Sequence, residues 1–167
     1  MNLYLLRHAI AVERGTAGYE IDSTRPLTPD GVRKMHRIAE GMLHLEVHPD
    51  VIVTSPSLRA RQTADIAAQV LRLRRSVDVH DALSPGGDQA RLLSDLGRLY
   101  GDHKGVMLVG HQPDLGELAS TLVAGSLDLA LDLRKGGLCL LATTSLHYGQ
   151  CATLKWLMTP RLLVLLA

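Results

Sequence analysis

The chain has 167 residues, 46% hydrophobic and 21% charged, with a formal net charge of +1. That suits one globular domain, residues 1–167, able to bury a core without disulfide or metal staples. The balanced charge gives no polyanion-binding surplus, and aromatics at 3% with no Phe argue against a base-stacking platform, so no nucleic acid partner is expected.

No apolar run approaches the ~20 residues that span a bilayer, and MNLYLLRH at the start is too short for a signal peptide. No membrane partner is expected. Cys139 and Cys151 form no CxxC and read as reduced thiols of a cytoplasmic protein.

Leu3–Leu6 reads as a buried strand ending at Arg7-His8, followed by a polar loop to about Leu27. Thr28-Pro29-Asp30 opens a helix with a cap, a proline in the first helical position and an acid in the first turn. Val32, Met35, Ala39, Met42 and Leu43 give that helix an apolar stripe. Val51–Thr54 is a second buried strand, and Ser55-Pro56 opens a helix running to about Leu73. Val77–His80 is a weaker strand, and Asp88 or a neighbour caps a helix reaching about Leu99. Gly105–Val109 is a further buried strand, ending at Gly110-His111. Gln112-Pro113-Asp114 opens a helix with Leu115, Leu118, Ala119 and Leu122 on one face. Leu138–Thr144 and Ala152–Met158 read as two strands joined by a turn near Tyr148-Gly149. The apolar tail Leu162–Ala167 reads as packing on its own domain, with a dimer contact as the alternative.

Alternating strands and helices, with continuously apolar strands, imply an α/β fold. The expected form is a three-layer α/β/α sandwich, a mostly parallel sheet with helices on both faces. Such sheets bind ligands at the carboxyl ends of their strands. Arg7-His8, Ser55 to Arg59 and Gly110-His111 all fall there, so three segments converge on one mouth.

Within that mouth Arg59 stands in the first turn of its helix, where a cation opposes the positive end of the macrodipole. Arg59, Thr63, Ile66, Ala67 and Val70 form one stripe; Arg61, Asp65, Gln69 and Arg72 form another. Arg61 can pair with Asp65 at i, i+4 and stay in water. Arg59 continues the inward stripe, where it either meets an anion or packs its stem and snorkels its head. Arg7-His8 alone is a polar strand end, and His111 alone a structural histidine. Together, two arginines and two histidines with no evident carboxylate pair suit a phosphoryl group, whose oxygens match guanidinium forks. A metal centre on His8 and His111 would lack enough ligands, so neither metal nor cofactor is expected.

Leu5-Leu6-Arg7-His8-Ala9, the run from Ser55 to Ala64, and Val109-Gly110-His111-Gln112-Pro113 together resemble the three ordered motifs of the histidine phosphatase superfamily. Ala9 replaces the Gly usual there. Arg25-Pro26-Leu27-Thr28, Leu83 to Asp88 and Trp156 to Pro160 make the chain similar to that superfamily's phosphohistidine phosphatases over nearly its whole length.

The resemblance implies a phosphoglycerate mutase-like fold and a hydrolase with His8 as nucleophile. It implies that Arg7, Arg59 and His111 bind the phosphoryl oxygens and that Arg25 helps to hold phosphate or substrate. Asp88 is the nearest candidate proton donor, with a helix cap as its other role. Expected partners are a histidine-phosphorylated phosphotransfer domain or phosphocarrier protein, with inorganic phosphate as product. The competing readings are a general phosphomonoesterase or mutase of the same superfamily and a non-catalytic phosphate-binding module.

Overall fold

The computed structural model describes residues 1–74 and 77–167. Its strands are β1 (Asn2–Arg7), β2 (Val51–Thr54), β3 (Asp78–Val79), β4 (Gly105–Gly110), β5 (Leu138–Thr143) and β6 (Ala152–Met158). Its helices are α1 (Pro29–His44), α2 (Leu58–Val70), α3 (Gln89–Tyr100), α4 (Asp114–Ala124) and α5 (Pro160–Leu165). The strands form one sheet in the order β3-β2-β4-β1-β5-β6. β4 pairs in parallel with β1 and β2, and β2 with β3, whereas β5 pairs antiparallel with β1 and β6. The sheet is therefore mostly parallel, with its antiparallel part confined to the C-terminal hairpin.

The inner strands β1, β2 and β4 carry continuous apolar runs because both their faces are covered, and their alternate residues serve two cores. Tyr4, Leu6, Ile52, Met107 and Val109 pack with Met35, Ile38 and Met42 of α1, Ala60 and Ala64 of α2, and Leu163 of α5. Leu3, Leu5, Val51, Val53, Val106 and Leu108 pack with Leu92, Leu93 and Leu96 of α3 and with Leu115, Leu118 and Leu122 of α4. This is the three-layer sandwich expected. Each fully buried Leu contributes about 1.5–3 kcal/mol of transfer free energy.

The order of the strands positions the site. β1 and β4 are neighbours, but α1 follows β1 on one face and α4 follows β4 on the other. The chain leaves these two carboxyl ends in opposite directions and opens a crevice between them.

Local differences from the sequence expectations have local causes. Helix α1 begins as expected, with Thr28 Oγ1 accepting from the Gly31 N–H at 2.9 Å. Its stripe uses Ile38, 1% exposed, instead of Leu43, which stays 37% exposed. Leu43 stands about 100° around the helix from Met42, beyond the buried arc. Helix α2 opens at Leu58 because Ser57 is extended, with φ −61° and ψ 135°. It ends at Val70, short of Leu73; Arg72 takes φ 54° and the Leu73 N–H turns back to the Ala68 carbonyl at 2.9 Å. Arg61 and Asp65 are exposed and form no ion pair with each other, so the expected i, i+4 pair is absent. The apolar tail forms a helix, α5, capped by Thr159. It packs on α1 through Leu163 and leaves Leu162, Leu165 and Leu166 exposed. No helix among the described residues is long and apolar enough to cross a membrane.

Candidate active site

The end of β1 delivers Arg7 and His8 into the crevice. The His8 backbone N–H donates to the Gly110 carbonyl at 3.0 Å, extending the β1–β4 ladder by one bond. The Gly136 N–H lies 3.0 Å from the Arg7 carbonyl and 3.2 Å from that of His8. Gly136 has φ +78°, and a Cβ there would come within 2.6 Å of Ile38 Cδ1, so both backbone conformation and space call for glycine.

Past His8 the chain is pinned to α2. The Ala9 N–H donates to Thr63 Oγ1 at 3.0 Å, and the Thr63 hydroxyl donates to the Arg59 carbonyl at 2.7 Å. One buried threonine thus sets the histidine loop against the helix that bears Arg59.

His8 itself is 7% exposed. Its Nδ1 lies 2.8 Å from the Ala9 carbonyl oxygen. A carbonyl only accepts, so Nδ1 holds the proton and Nε2 keeps its lone pair. Burial lowers the ring's pKa to about 3, with the neighbouring His111, Arg59 and Arg7 adding to the fall against the raising effect of the Ala9 carbonyl. The ring is therefore neutral at pH 7.

His111 lies beyond the end of β4, its ring centroid 5.2 Å from that of His8. Its Nδ1 is 3.3 Å from an Arg59 terminal nitrogen and its Nε2 is 2.9 Å from Ser55 Oγ. A guanidinium only donates, so Nδ1 accepts and the Nε2–H donates to Ser55. Burial first, then the Arg59 charge, lowers the His111 pKa to about 4.

Arg59 is 3% exposed. Its NH1 donates to the Asp22 carbonyl at 2.7 Å and its NH2 to Asp22 Oδ2 at 2.9 Å. Arg25 donates to Asp22 Oδ1 from Nε at 3.1 Å and from NH2 at 2.7 Å. Arg14 adds a further contact to Oδ1 at 3.1 Å. Arg7 is held from the other side, with NH1 donating to the Leu133 carbonyl at 3.0 Å.

These groups bound a cavity of about 620 Å³. Arg7, His8, Arg25, Arg59 and His111 all line it, so five of the six residues singled out in the sequence meet in one space. The sixth does not. Asp88 is exposed, accepts from the Arg91 N–H at 2.9 Å as the cap of α3, and lies outside that lining. The carboxylates that do line the cavity are Asp114 and Glu117, from the first turn of α4. Exposed Arg14, Pro85, Gly86, Pro113 and Lys135 form its lining on the solvent side.

A single carboxylate, Asp22, stands among the arginines; the sequence reading considers only a carboxylate pair and does not single it out. It lies in a polar loop with no periodicity, and its spacing of three residues before Arg25 is the one local signal of a pair. Among the described residues no group of three or more His, Cys, Asp or Glu side chains is placed to hold a metal ion.

The chain belongs to the histidine phosphatase superfamily (branch 1), whose family model matches residues 3–84. That stretch contains Arg7, His8, Arg25 and Arg59; His111 lies beyond it. The chain is 27% identical over 161 residues to the phosphohistidine phosphatase SixA of Escherichia coli K12, spanning 96% of this chain and 94% of that protein. It is 41% identical over 140 residues to an uncharacterized protein of Picosynechococcus, spanning 83% of this chain and 82% of that one. A solved structure of the protein histidine phosphatase SixA complexed with tungstate matches it with a TM-score of 0.82 at 26% identity, over 96% of this chain and 98% of the other.

Proposed function

We propose that this chain is a phosphohistidine phosphatase that removes the phosphoryl group from a histidine-phosphorylated protein through phospho-His8. The observation that supports this most is the single Nδ1 contact of His8 to the Ala9 carbonyl. It leaves a neutral Nε2 with a free lone pair beside two arginines, in a chain of this superfamily.

In the first step Nε2 of His8 attacks phosphorus in line, forming its own N–P bond as the N–P bond to the substrate imidazole breaks. Arg7 and Arg59 stabilise the equatorial oxygens, and positioning with charge stabilisation is most of what phosphoryl transfer needs. The departing imidazole has a pKa near ~6.5, far below that of an alcohol, so it leaves with protonation from solvent. In the second step water attacks phosphorus, its oxygen joins the phosphate, the bond to Nε2 breaks, and inorganic phosphate departs. Neither step needs a metal when two guanidiniums supply the charge. The exposed mouth suits a histidine presented on the surface of a phosphotransfer or phosphocarrier protein.

The first test is phosphate release from a histidine-phosphorylated phosphotransfer protein, in EDTA, by wild type and His8→Ala. Release by the wild type alone supports the proposal; equal release by both defeats the assignment of His8. A second reading, a phosphomonoesterase acting on small esters, draws on Asp114 and Glu117, carboxyl groups in the cavity lining able to protonate an ester oxygen. Faster turnover of an alkyl phosphate, lost in Glu117→Gln, would favour that reading.

A further inference from the structure

Asp22 falls in none of the motifs, yet it joins three of the arginines in the cavity lining. Its Oδ1 receives Arg14 Nε, Arg25 Nε and Arg25 NH2, and its Oδ2 receives Arg59 NH2. Four N–H donors match what a carboxylate can accept. Its own carbonyl takes Arg59 NH1 at 2.7 Å, so Arg59 is gripped at two points and the plane of its guanidinium is set. Asp22 is not part of the cavity lining, whereas Arg14, Arg25 and Arg59 are. It stands behind them and acts on a ligand only through them.

We propose that Asp22 is a positioning residue that fixes Arg59 and Arg25 for the transferring phosphoryl group and, by its charge, limits how tightly the pocket holds free phosphate. This rests on reading the cavity as a phosphoryl site. Two consequences separate the roles of geometry and charge.

Geometry concerns the chemical step. Arg59 is 3% exposed and lines the cavity while its NH1 and NH2 are held on Asp22, so the attitude of the guanidinium toward a phosphoryl oxygen is set by Asp22. A guanidinium freed from that grip turns within the pocket, and catalytic groups displaced by an ångström lose much of their effect. Charge concerns release. Arg7, Arg14, Arg25, Arg59 and Lys135 are five cations around a cavity whose lining also holds Asp114 and Glu117, so cations outnumber carboxylates there and attract an anion. Asp22 adds a counter-charge on Arg59 and Arg25 themselves, and without it the pocket would hold its own anionic product more tightly.

The experiment compares wild type, Asp22→Asn and Asp22→Glu. It measures kcat and KM with a histidine-phosphorylated phosphotransfer protein, and the Kd of inorganic phosphate by calorimetry on each protein. Asp22→Asn removes the charge and sets an amide donor against the guanidinium donors. Its kcat falls about tenfold or more, while phosphate binds about threefold or more tighter. Asp22→Glu keeps the charge and displaces it by one methylene; phosphate affinity returns toward wild type and kcat stays low. A merely structural role would reduce the active fraction and leave the Kd of the folded protein unchanged. Unchanged or weaker phosphate binding in folded Asp22→Asn overturns the proposal. If Asp22→Asn does not fold, wild-type kcat in Asp22→Glu overturns it, and lowered kcat with wild-type phosphate affinity upholds it. A wild type that neither binds phosphate nor releases it from phosphohistidine defeats the phosphoryl-site reading itself, a different outcome from a normal wild type with an unaffected Asp22→Asn.

Discussion

Ser55 Oγ accepts a hydrogen bond from His111 Nε2 at 2.9 Å, joining the end of β2 to the end of β4 and selecting the His111 tautomer. Ser55 is fully buried, and its hydroxyl also accepts from the Ser57 N–H at 3.3 Å. Ser55→Ala strips both donors of their partner, at a cost of about 1–3 kcal/mol for buried polar groups left unmet. The His111 ring is then free to turn, so kcat should fall more than KM rises. Kinetics with a urea unfolding curve test this; wild-type kcat in a folded Ser55→Ala protein would mean that Ser55 has no part in orienting His111.

The pH dependence follows from the two histidines. Burial and the arginines lower His8 to about 3 and His111 to about 4, from an ordinary value of 6.5. Above pH 6.5 both states of the chain are neutral at these positions. As pH falls below 6.5 the unfolded chain takes up protons and the folded one does not, so stability declines until the folded pKa values are reached. The decline is about 2 kcal/mol per histidine between pH 6.5 and about pH 5. Thermal unfolding at pH 7 and pH 5 should show a shallower loss in His111→Asn than in wild type, and equal slopes would contradict the shift. Activity governed by neutral His8 should persist to pH 5, where a free imidazole is mostly charged.

Thr63→Val keeps the shape of the side chain and deletes both of its hydrogen bonds. The buried Ala9 N–H loses its acceptor, and the histidine loop loses its tie to α2. The expected loss is about 1–3 kcal/mol in urea unfolding, with reduced kcat. A variant as stable and active as wild type would show that the loop is held by its other contacts.

Arg59→Lys and Arg61→Lys form a paired test. An ammonium is a point charge without a fork, so it cannot span the Asp22 carbonyl, Asp22 Oδ2 and His111 Nδ1 together. Arg59→Lys should cost about a hundredfold or more in kcat/KM. Arg61 is exposed, and Arg61→Lys should leave stability within about 0.5 kcal/mol and leave activity unchanged. Similar effects of both changes would remove the distinction between the two helical stripes.

That distinction was legible in the chain itself. Helical periodicity separated Arg59, 3% exposed, from Arg61 two positions away. Alternation between both faces of the sheet explains why β1 and β4 read as unbroken apolar runs. Thr28-Pro29 and Asp88 were recognisable as helix starts because capping is decided within three or four residues. The end of α2 was misplaced because Arg72 adopts a left-handed conformation that no nearby glycine announced.

The sequence by itself determined the order of elements, the three strand ends at which Arg7, His8, Arg59 and His111 stand, and the family to which the chain belongs. These rest on periodicity, capping and short motifs, all interactions between residues close in the chain. Tertiary structure alone decided that Asp22 meets Arg59 across 37 positions, that Ser55 meets His111 across 56 and that Leu133 holds Arg7 across 126. No local pattern encodes such pairs. They come into being when the parallel sheet brings β1, β2 and β4 side by side, and a buried donor must take whichever acceptor that packing presents.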